Sequence, residues 1–357
     1  MYKWRIDPWL LLTYLFSASL SLVVLTSIVP SHVYQQAIMF GIALVIFIYL
    51  SSQDNAVFKT FAPFAYLLSL LLLLITYFFG SSVRGSLRWI AIGSFQLQAS
   101  EVVKPFLVLA FAFFLKQFPI KTFKNILINF LLFSLPTFLI FKQPDLGTAL
   151  SVSMIWITQL FVSGLSYFMI GGGLVTCGFF LEYLPKILHD YQLKRIRTFI
   201  DPFSDPLGSG YNVIQSIIAV GSGGFWGRGL GHGTQSHLRF LPERHTDFVF
   251  ASLAEELGII GSFLVLACLA GLLYRLLDLA THTKSASSRL IYLGTFGYLA
   301  FQTFVNIGMN IGLTPVTGVT LPLISYGGSS ILSIAISLGI ASSCAKADQH
   351  TRLIEIK

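Results

Sequence analysis

Charge is what this sequence has least of. Lysine, arginine, aspartate and glutamate make up 11% of its 357 residues, against roughly 25% in a soluble domain. A chain this poor in charge would precipitate in water, which excludes a soluble globular fold. Cysteine is also scarce. Cys177, Cys268 and Cys344 fall inside apolar runs and show no Cys-x-x-Cys spacing, so neither a disulfide framework nor a zinc site is indicated. The net charge of +8 has no basic stripe or aromatic interleaving beside it, and nucleic acid drops out as a partner. No internal repeat marks the chain as an inverted-repeat transporter.

What the sequence does have is long apolar runs. Hydrophobic residues make up 55% of it, with a mean hydropathy of +0.76. They recur in stretches of about 20, the length that crosses a hydrocarbon core. The expected spans are residues 8–29, 33–51, 60–79, 101–116, 125–141, 146–163, 165–183, 248–276, 290–311 and 321–345. The fold class is therefore an all-α polytopic membrane protein of about ten transmembrane helices, one integral membrane domain over 1–357. A large extracytoplasmic loop, about 184–247, separates helices 7 and 8. The first run follows a short basic leader and mimics a signal peptide. It is longer than a signal h-region and a second span follows at once, so it reads as a retained helix.

Short connections set the orientation. Alternating from the N-terminus, one side collects Lys3, Arg5, Lys59, Lys116, Lys121, Lys124, Arg275, Lys284, Arg289, Lys346, Arg352 and Lys357. The other side's short loops carry Arg84, Arg88 and Lys142, with Lys104 just inside a helix. The first side is expected to be cytoplasmic, with both termini there. The long loop then lies outside, where its own cations do not count against the rule.

Polar chemistry in such a chain marks the place to seek function, and it crowds into residues 208–258. The glycine run from Gly221 to Gly233 lacks the spacing and preceding strand of a dinucleotide fingerprint and the lysine of a P-loop. It reads as a re-entrant or interfacial turn, with backbone contact to a ligand phosphate as the other reading. Before it, residues 184–201 place Lys186, Lys194, Arg195 and Arg197 among apolar residues at helical spacing. That suits a helix lying on the membrane surface, and the same cations would meet a pyrophosphate headgroup. In ERHTDF, Asp247 stands where the polar loop enters a helix, equally a helix cap or a chemical group. Glu243, Arg244 and His245 surround it with charge. Glu255 and Glu256 follow inside the apolar zone and need partners; Glu101 and Lys104 on another helix are the expected ones. Asp145, in KQPDLGTA, is placed to cap the next helix.

Several long stretches then resemble one known family. They are RGSLRWIAIGSFQLQASEVVK (84–104), KQPDLGTA (142–149) and RIRTFIDPFSDPLGSGYNVIQSIIAVGSGGFWGRGLGHGTQ (195–235). FLPERHTDFVFASLAEELG (240–258) and NIGMNIGLTPVTGVTLPLISYGGSS (306–330) continue the match. The chain resembles the SEDS family, which contains RodA, FtsW and SpoVE, and is most similar to the RodA branch. Ser100 stands where many relatives have proline. The resemblance implies a peptidoglycan glycosyltransferase that polymerises lipid II on the outer face of the bacterial cytoplasmic membrane during cell elongation. It implies a class B penicillin-binding protein as partner, a single-pass transpeptidase working within the elongation machinery. The family's essential aspartate falls on Asp247, a general base on this reading. Its other functional positions fall on Arg84, Trp89, Glu101, Lys104 and Asp145, and on the neighbourhood of Glu243, Arg244 and His245. No cofactor motif is present, and a divalent cation is the one cofactor left open. A lipid II flippase and an FtsW-like septal polymerase are the alternatives. A flippase would line a path through both halves of the bundle, whereas the polar residues cluster at outer helix ends.

Overall fold

The computed structural model describes residues 6–83, 86–92, 95–165, 171 and 190–355. Arg84, Cys177, Lys186, the expected span 165–183 apart from its first residue and residue 171, and the terminal cations Lys3, Arg5 and Lys357 lie outside the described residues.

Helices dominate. They are α1 (Pro8–Ile28), α2 (Pro30–Ser52), α3 (Asn55–Phe79), α4 (Ala99–Gln117), α5 (Phe123–Lys142) and α6 (Leu146–Val162). After the undescribed segment come α7 (Asp190–Ile200), α8 (Tyr211–Ser222), the short α9 (Thr234–His237), α10 (Val249–His282), α11 (Ala286–Asn310) and α12 (Gly328–Glu355). Local chemistry places several starts. Asp7 accepts the Leu10 amide ahead of Pro8, and Asp54 accepts the Ala56 amide at the start of α3. Among the described residues, 7 helices are long and apolar enough to cross a membrane. The chain is a multi-pass membrane protein.

The bundle is apolar outside and polar within. Leu12, Val45, Phe64 and Phe263 are more than half exposed on long helices, which only lipid can cover. Inside sit Gln36, Gln159, Gln302, Asn306 and a row of serines on α12. Small hydroxyl residues let helices approach closely and share hydrogen bonds. Ser337 on α12 meets the Tyr298 hydroxyl at 2.8 Å, and Ser343 donates to Gln53 O at 2.9 Å. The half of the bundle away from Asp247 is therefore not plain apolar, as the sequence suggested. Its buried polar groups bind neighbouring helices together.

Three further expectations need correction. The short outer connection that carries Arg88 is not merely a loop: β1 (Ser81–Val83), β2 (Ser86–Ile92) and β3 (Phe95–Gln98) form an antiparallel sheet in the order β1-β2-β3. Trp89 pairs with Ser81 on one side and Gln98 on the other. The last helix starts at Gly328 rather than near 321, because residues 321–326 turn back to support the site described below. Finally, α10 is broken at Gly258 (φ 64°, ψ −158°). The break frees the carbonyls of Glu255 and Glu256, which accept the amides of Arg228 and Gly229 at 2.9 and 3.0 Å. Ile259 N donates to Gly224 O at 3.0 Å. The glycine run thus packs main chain to main chain against a broken helix. A Cβ at Gly223, Gly227 or Gly258 would collide with the opposing backbone, which is why small residues recur there. Irregular backbone survives at this depth because protein satisfies it. The amides at 228, 229 and 231 are all taken, which leaves them no part in cradling a phosphate.

Candidate functional site

Asp247 lies one residue outside the cap of α10. The helix starts at Val249, and Phe248 caps it without a side-chain hydrogen bond. The main chain of Asp247 is firmly held. Its carbonyl accepts Asn306 Nδ2 at 3.0 Å and Asn310 Nδ2 at 3.1 Å, both from buried asparagines of α11. The carbonyls before it are taken as well. Ser325 Oγ donates to Thr246 O at 2.7 Å, Tyr326 N to His245 O at 2.8 Å and Ser252 Oγ to Arg244 O at 3.3 Å. Glu243 O accepts the amides of Thr246 and Phe248. The carbonyls from Arg244 to Asp247 are thus anchored in α10, α11 or the turn before α12, and that of Glu243 within the loop itself.

Two non-glycine residues here hold left-handed backbone: Glu243 at φ 52° and Leu323 at φ 60°. Such conformations cost about 1–3 kcal/mol each and persist only where the surroundings enforce them. The Asp247 carboxylate faces Gly318, where an added Cβ would stand 3.6 Å from Oδ2. Asn310 extends the support. Its Oδ1 accepts the Ala251 amide at 2.9 Å and its carbonyl accepts Ser216 Oγ of α8 at 2.8 Å.

Around Asp247 the expected residues divide into separate groups. His245 packs against His32 (ring centroids 5.3 Å apart) and Tyr326 (5.6 Å). Glu243 Oε2 accepts Thr246 Oγ1 at 3.1 Å. Arg244 reaches Ile28 O at 3.5 Å, and its Nε is buried with no hydrogen-bond partner among the described residues. Burial, then the nearby Arg239, pulls its guanidinium below the usual range. A half-buried cation with an unmet donor is suited to receive an anion.

Asp145 is the centre of a second group. It caps α6 through the Thr148 amide at 3.2 Å, as expected, and its Oδ2 accepts Gln98 Nε2 and Ser100 Oγ, each at 2.9 Å. Arg88 stands 3.8 Å from Oδ1 and donates to Gln143 O and Pro144 O. Trp89, half-buried on β2, adjoins this cluster through the strand.

Glu101 and Lys104 pair with each other at 2.7 Å, buried on α4, with Lys104 Nζ 5.3 Å from the Tyr298 ring. They do not balance Glu255 and Glu256, so that expectation is overturned. Glu255 is wrapped by α9: it accepts the amides of Gln235 (2.8 Å) and Ser236 (3.0 Å) and the hydroxyls of Thr234 (3.2 Å) and Ser236 (2.5 Å). Glu256 accepts Ser27 Oγ at 2.6 Å and stands 2.8 Å from His237 Nε2. Sequence separation hid this, because the donors come from a loop that folds back over the broken helix.

The cations of α7 form a third group. A cavity of about 270 Å³ between α7 and the connection after α11 is lined by Lys194, Arg195, Asn212 and Pro315. Lys194 and Arg197 also line a neighbouring cavity of about 450 Å³. Lys194 stands 3.8 Å from Asp205, whose exposed carboxyl the amide and hydroxyl of Ser209, and then Lys194, hold below its usual range.

One uncharged connection, residues 311–327, touches the Asp247, Asp145 and α7 groups. Its 314–316 segment walls the α7 cavity and Gly318 faces Asp247. Gly147, two residues from Asp145, has room for no Cβ against Thr317 and Val319. Asn306 Nδ2 holds Val319 O at 2.7 Å. Sequence reasoning missed Arg88, Asn306, Asn310 and Tyr326 as site residues. The asparagines were findable: amides one helical turn apart in an apolar run need partners. Among the described residues no group of three or more histidine, cysteine, aspartate or glutamate side chains is arranged to hold a metal ion.

Comparison with known proteins adds the following. The family of FtsW, RodA and SpoVE, described as cell cycle proteins, matches residues 5–350. The chain is 42% identical over 305 residues to peptidoglycan glycosyltransferase MrdB of Escherichia coli strain K12, covering 85% of this chain and 82% of that one. A solved chain from a peptidoglycan synthase complex that coordinates polymerization and crosslinking superposes with a TM-score of 0.84 at 34% identity, covering 96% and 98% of the two chains. The rod shape determining protein RodA of Thermus thermophilus superposes with a TM-score of 0.72 at 30% identity, covering 96% and 97%.

Proposed function

The chain belongs to the FtsW, RodA and SpoVE family, and from that premise we propose that it polymerises lipid II into glycan strands with Asp247 as general base. It is a peptidoglycan glycosyltransferase of the membrane. The observation that carries the Asp247 assignment is its anchoring: a main chain fixed at five successive carbonyls presents the carboxylate beside Gly318. In the transfer, the acceptor sugar hydroxyl gives its proton to Asp247 as its oxygen bonds to the donor's anomeric carbon. The bond from that carbon to the pyrophosphate breaks, and the lipid carrier leaves as an anion. Arg244, Lys194, Arg195 and Arg197 supply positive charge for it. Trp89, Glu101, Lys104, Asp145, Glu243 and His245 belong to the same outer surface and its support, and the family likeness assigns Arg84 to substrate binding with them.

The test is Asp247→Asn, assayed for glycan synthesis from lipid II in detergent, where flipping has no meaning. Loss of polymerisation with retained folding supports the base; near-normal synthesis would sink it. A flippase makes no glycan in that assay even as wild type.

The partner we assign is a class B penicillin-binding protein, supported by the likeness to a complex that couples polymerization to crosslinking. Equal rates with and without it would refute activation. Membership of the elongation machinery rather than a septal role is supported by the likeness to MrdB and RodA. The active site faces outside the cytoplasmic membrane with both termini inside, by the cation count of the short connections. Leu207 and Lys284 are exposed. A cysteine at 207 should react with a membrane-impermeant reagent in intact cells and one at 284 should not; the reverse would overturn the orientation.

A further inference from the structure

At the end of the bundle remote from Asp247, a cavity of about 160 Å³ opens between α3, α4 and α11. Its wall is apolar, formed by Ala62, Leu109, Ala112 and Ile291, and its rim carries Lys59 and Lys116. Two of its lining residues are small: Ala62 of α3 and Ala112 of α4, both buried. Leucine at either would narrow it. The rim lysines are exposed, and neither forms an ion pair among the described residues. Asp54, at the start of α3, is occupied in capping that helix through the Ala56 amide at 3.2 Å. Lys121 lies in the turn after α4 and Lys124 in the first turn of α5, and Lys284 and Arg289 flank the start of α11. Beside the cavity, α3 turns Val57, Phe61 and Phe64 outward, with a shallow apolar recess along them.

We propose that this cavity is a binding site for an anionic phospholipid, its phosphate held between Lys59 and Lys116 and an acyl chain lying along Phe61 and Phe64. The pattern is what such a ligand needs. Cations stand at helix ends, where a headgroup lies, and apolar surface runs from there toward the bilayer centre. Basic pockets between membrane helices on the cytoplasmic side recognise anionic headgroups in this way. A bound lipid would join α3, α4 and α11 at their ends, and α4 carries the buried Glu101–Lys104 pair. The orientation argued above decides only which leaflet supplies the lipid, because the site itself is defined by its residues.

The experiment is native mass spectrometry of the purified full chain in detergent, titrated with phosphatidylglycerol or phosphatidylcholine. Wild type should hold phosphatidylglycerol in preference to phosphatidylcholine. The double variant Lys59→Gln/Lys116→Gln should bind phosphatidylglycerol about 30-fold more weakly, which is about 2 kcal/mol for two surface cations. Phosphatidylcholine binding should not change. Ala112→Leu, which narrows the cavity and keeps both charges, should weaken phosphatidylglycerol binding as well. Equal binding of the two lipids by wild type, or wild-type affinity in the double variant, would overturn the site. Detergent has no leaflets, so a wrong orientation cannot produce either of those results.

Discussion

Asp247 and Glu255 are two carboxylates near the start of one helix, and the fold treats them in opposite ways. Glu255 is consumed through its side chain, with two amides and two hydroxyls of α9 directed at its oxygens. Asp247 is held through its main chain, by Asn306 and Asn310, and the carbonyls before it are anchored too. A buried carboxylate whose oxygens meet several donors is a structural tie, strong and chemically silent. Asp247 is tied through its backbone carbonyl, and its carboxylate faces Gly318. Composition does not tell the two apart: Asp247 stands at the junction of polar loop and apolar helix and Glu255 within the apolar run, and an acid in either place needs a partner or a use.

The contrast predicts that isosteric amides will separate activity from stability. Asp247→Asn should have the largest effect, at least the roughly 10²-fold loss of polymerisation expected when a general base is removed. Its unfolding temperature should stay near the wild-type value, because Asn at 247 keeps the main-chain bonds from Asn306 and Asn310. A drop in stability matching the drop in activity would place Asp247 with Glu255. Glu255→Gln should behave conversely. It turns an amide toward N–H donors and gives up charge-assisted bonds worth about 1.5–3 kcal/mol together with their geometry. Thermal unfolding should register that loss while chemistry per folded molecule stays near wild type. A Glu255→Gln enzyme that is fully stable yet inactive would overturn its structural role.

Gly318→Ala sharpens the comparison at smaller scale. The position holds φ 76°, which costs an L residue about 1–3 kcal/mol, and its methyl would stand 3.6 Å from Asp247 Oδ2. Modest destabilisation with a raised KM for lipid II is expected. Ser325→Ala should matter least. It removes single hydrogen bonds, to Thr246 O and from the Leu321 amide, each worth about 1 kcal/mol. Its mark should be a small fall in kcat, since the asparagines still hold Asp247. An effect on kcat larger than that of Gly318→Ala would show that the turn before α12, rather than α11, sets the aspartate's position.

The sequence alone determined the membrane class and most helix positions, because a run of about 20 apolar residues has few alternatives in a bilayer. It also flagged Asp145 as a cap and Asp247 as the residue to test, since an acidic group at the edge of an apolar run must be satisfied or used. It could not assign partners. Lys104 goes to Glu101 rather than to Glu255 or Glu256, and the donors to Glu255 come from α9. The glycine run folds onto a break at Gly258 that no local signal fixed beforehand. The uncharged connection 311–327 draws the outer clusters together although nothing in its composition announces chemistry. Local patterns set the helices, because propensity and hydropathy act over a few turns. Only tertiary structure decided which buried polar groups meet, since hydrogen bonds between distant segments depend on how whole helices pack.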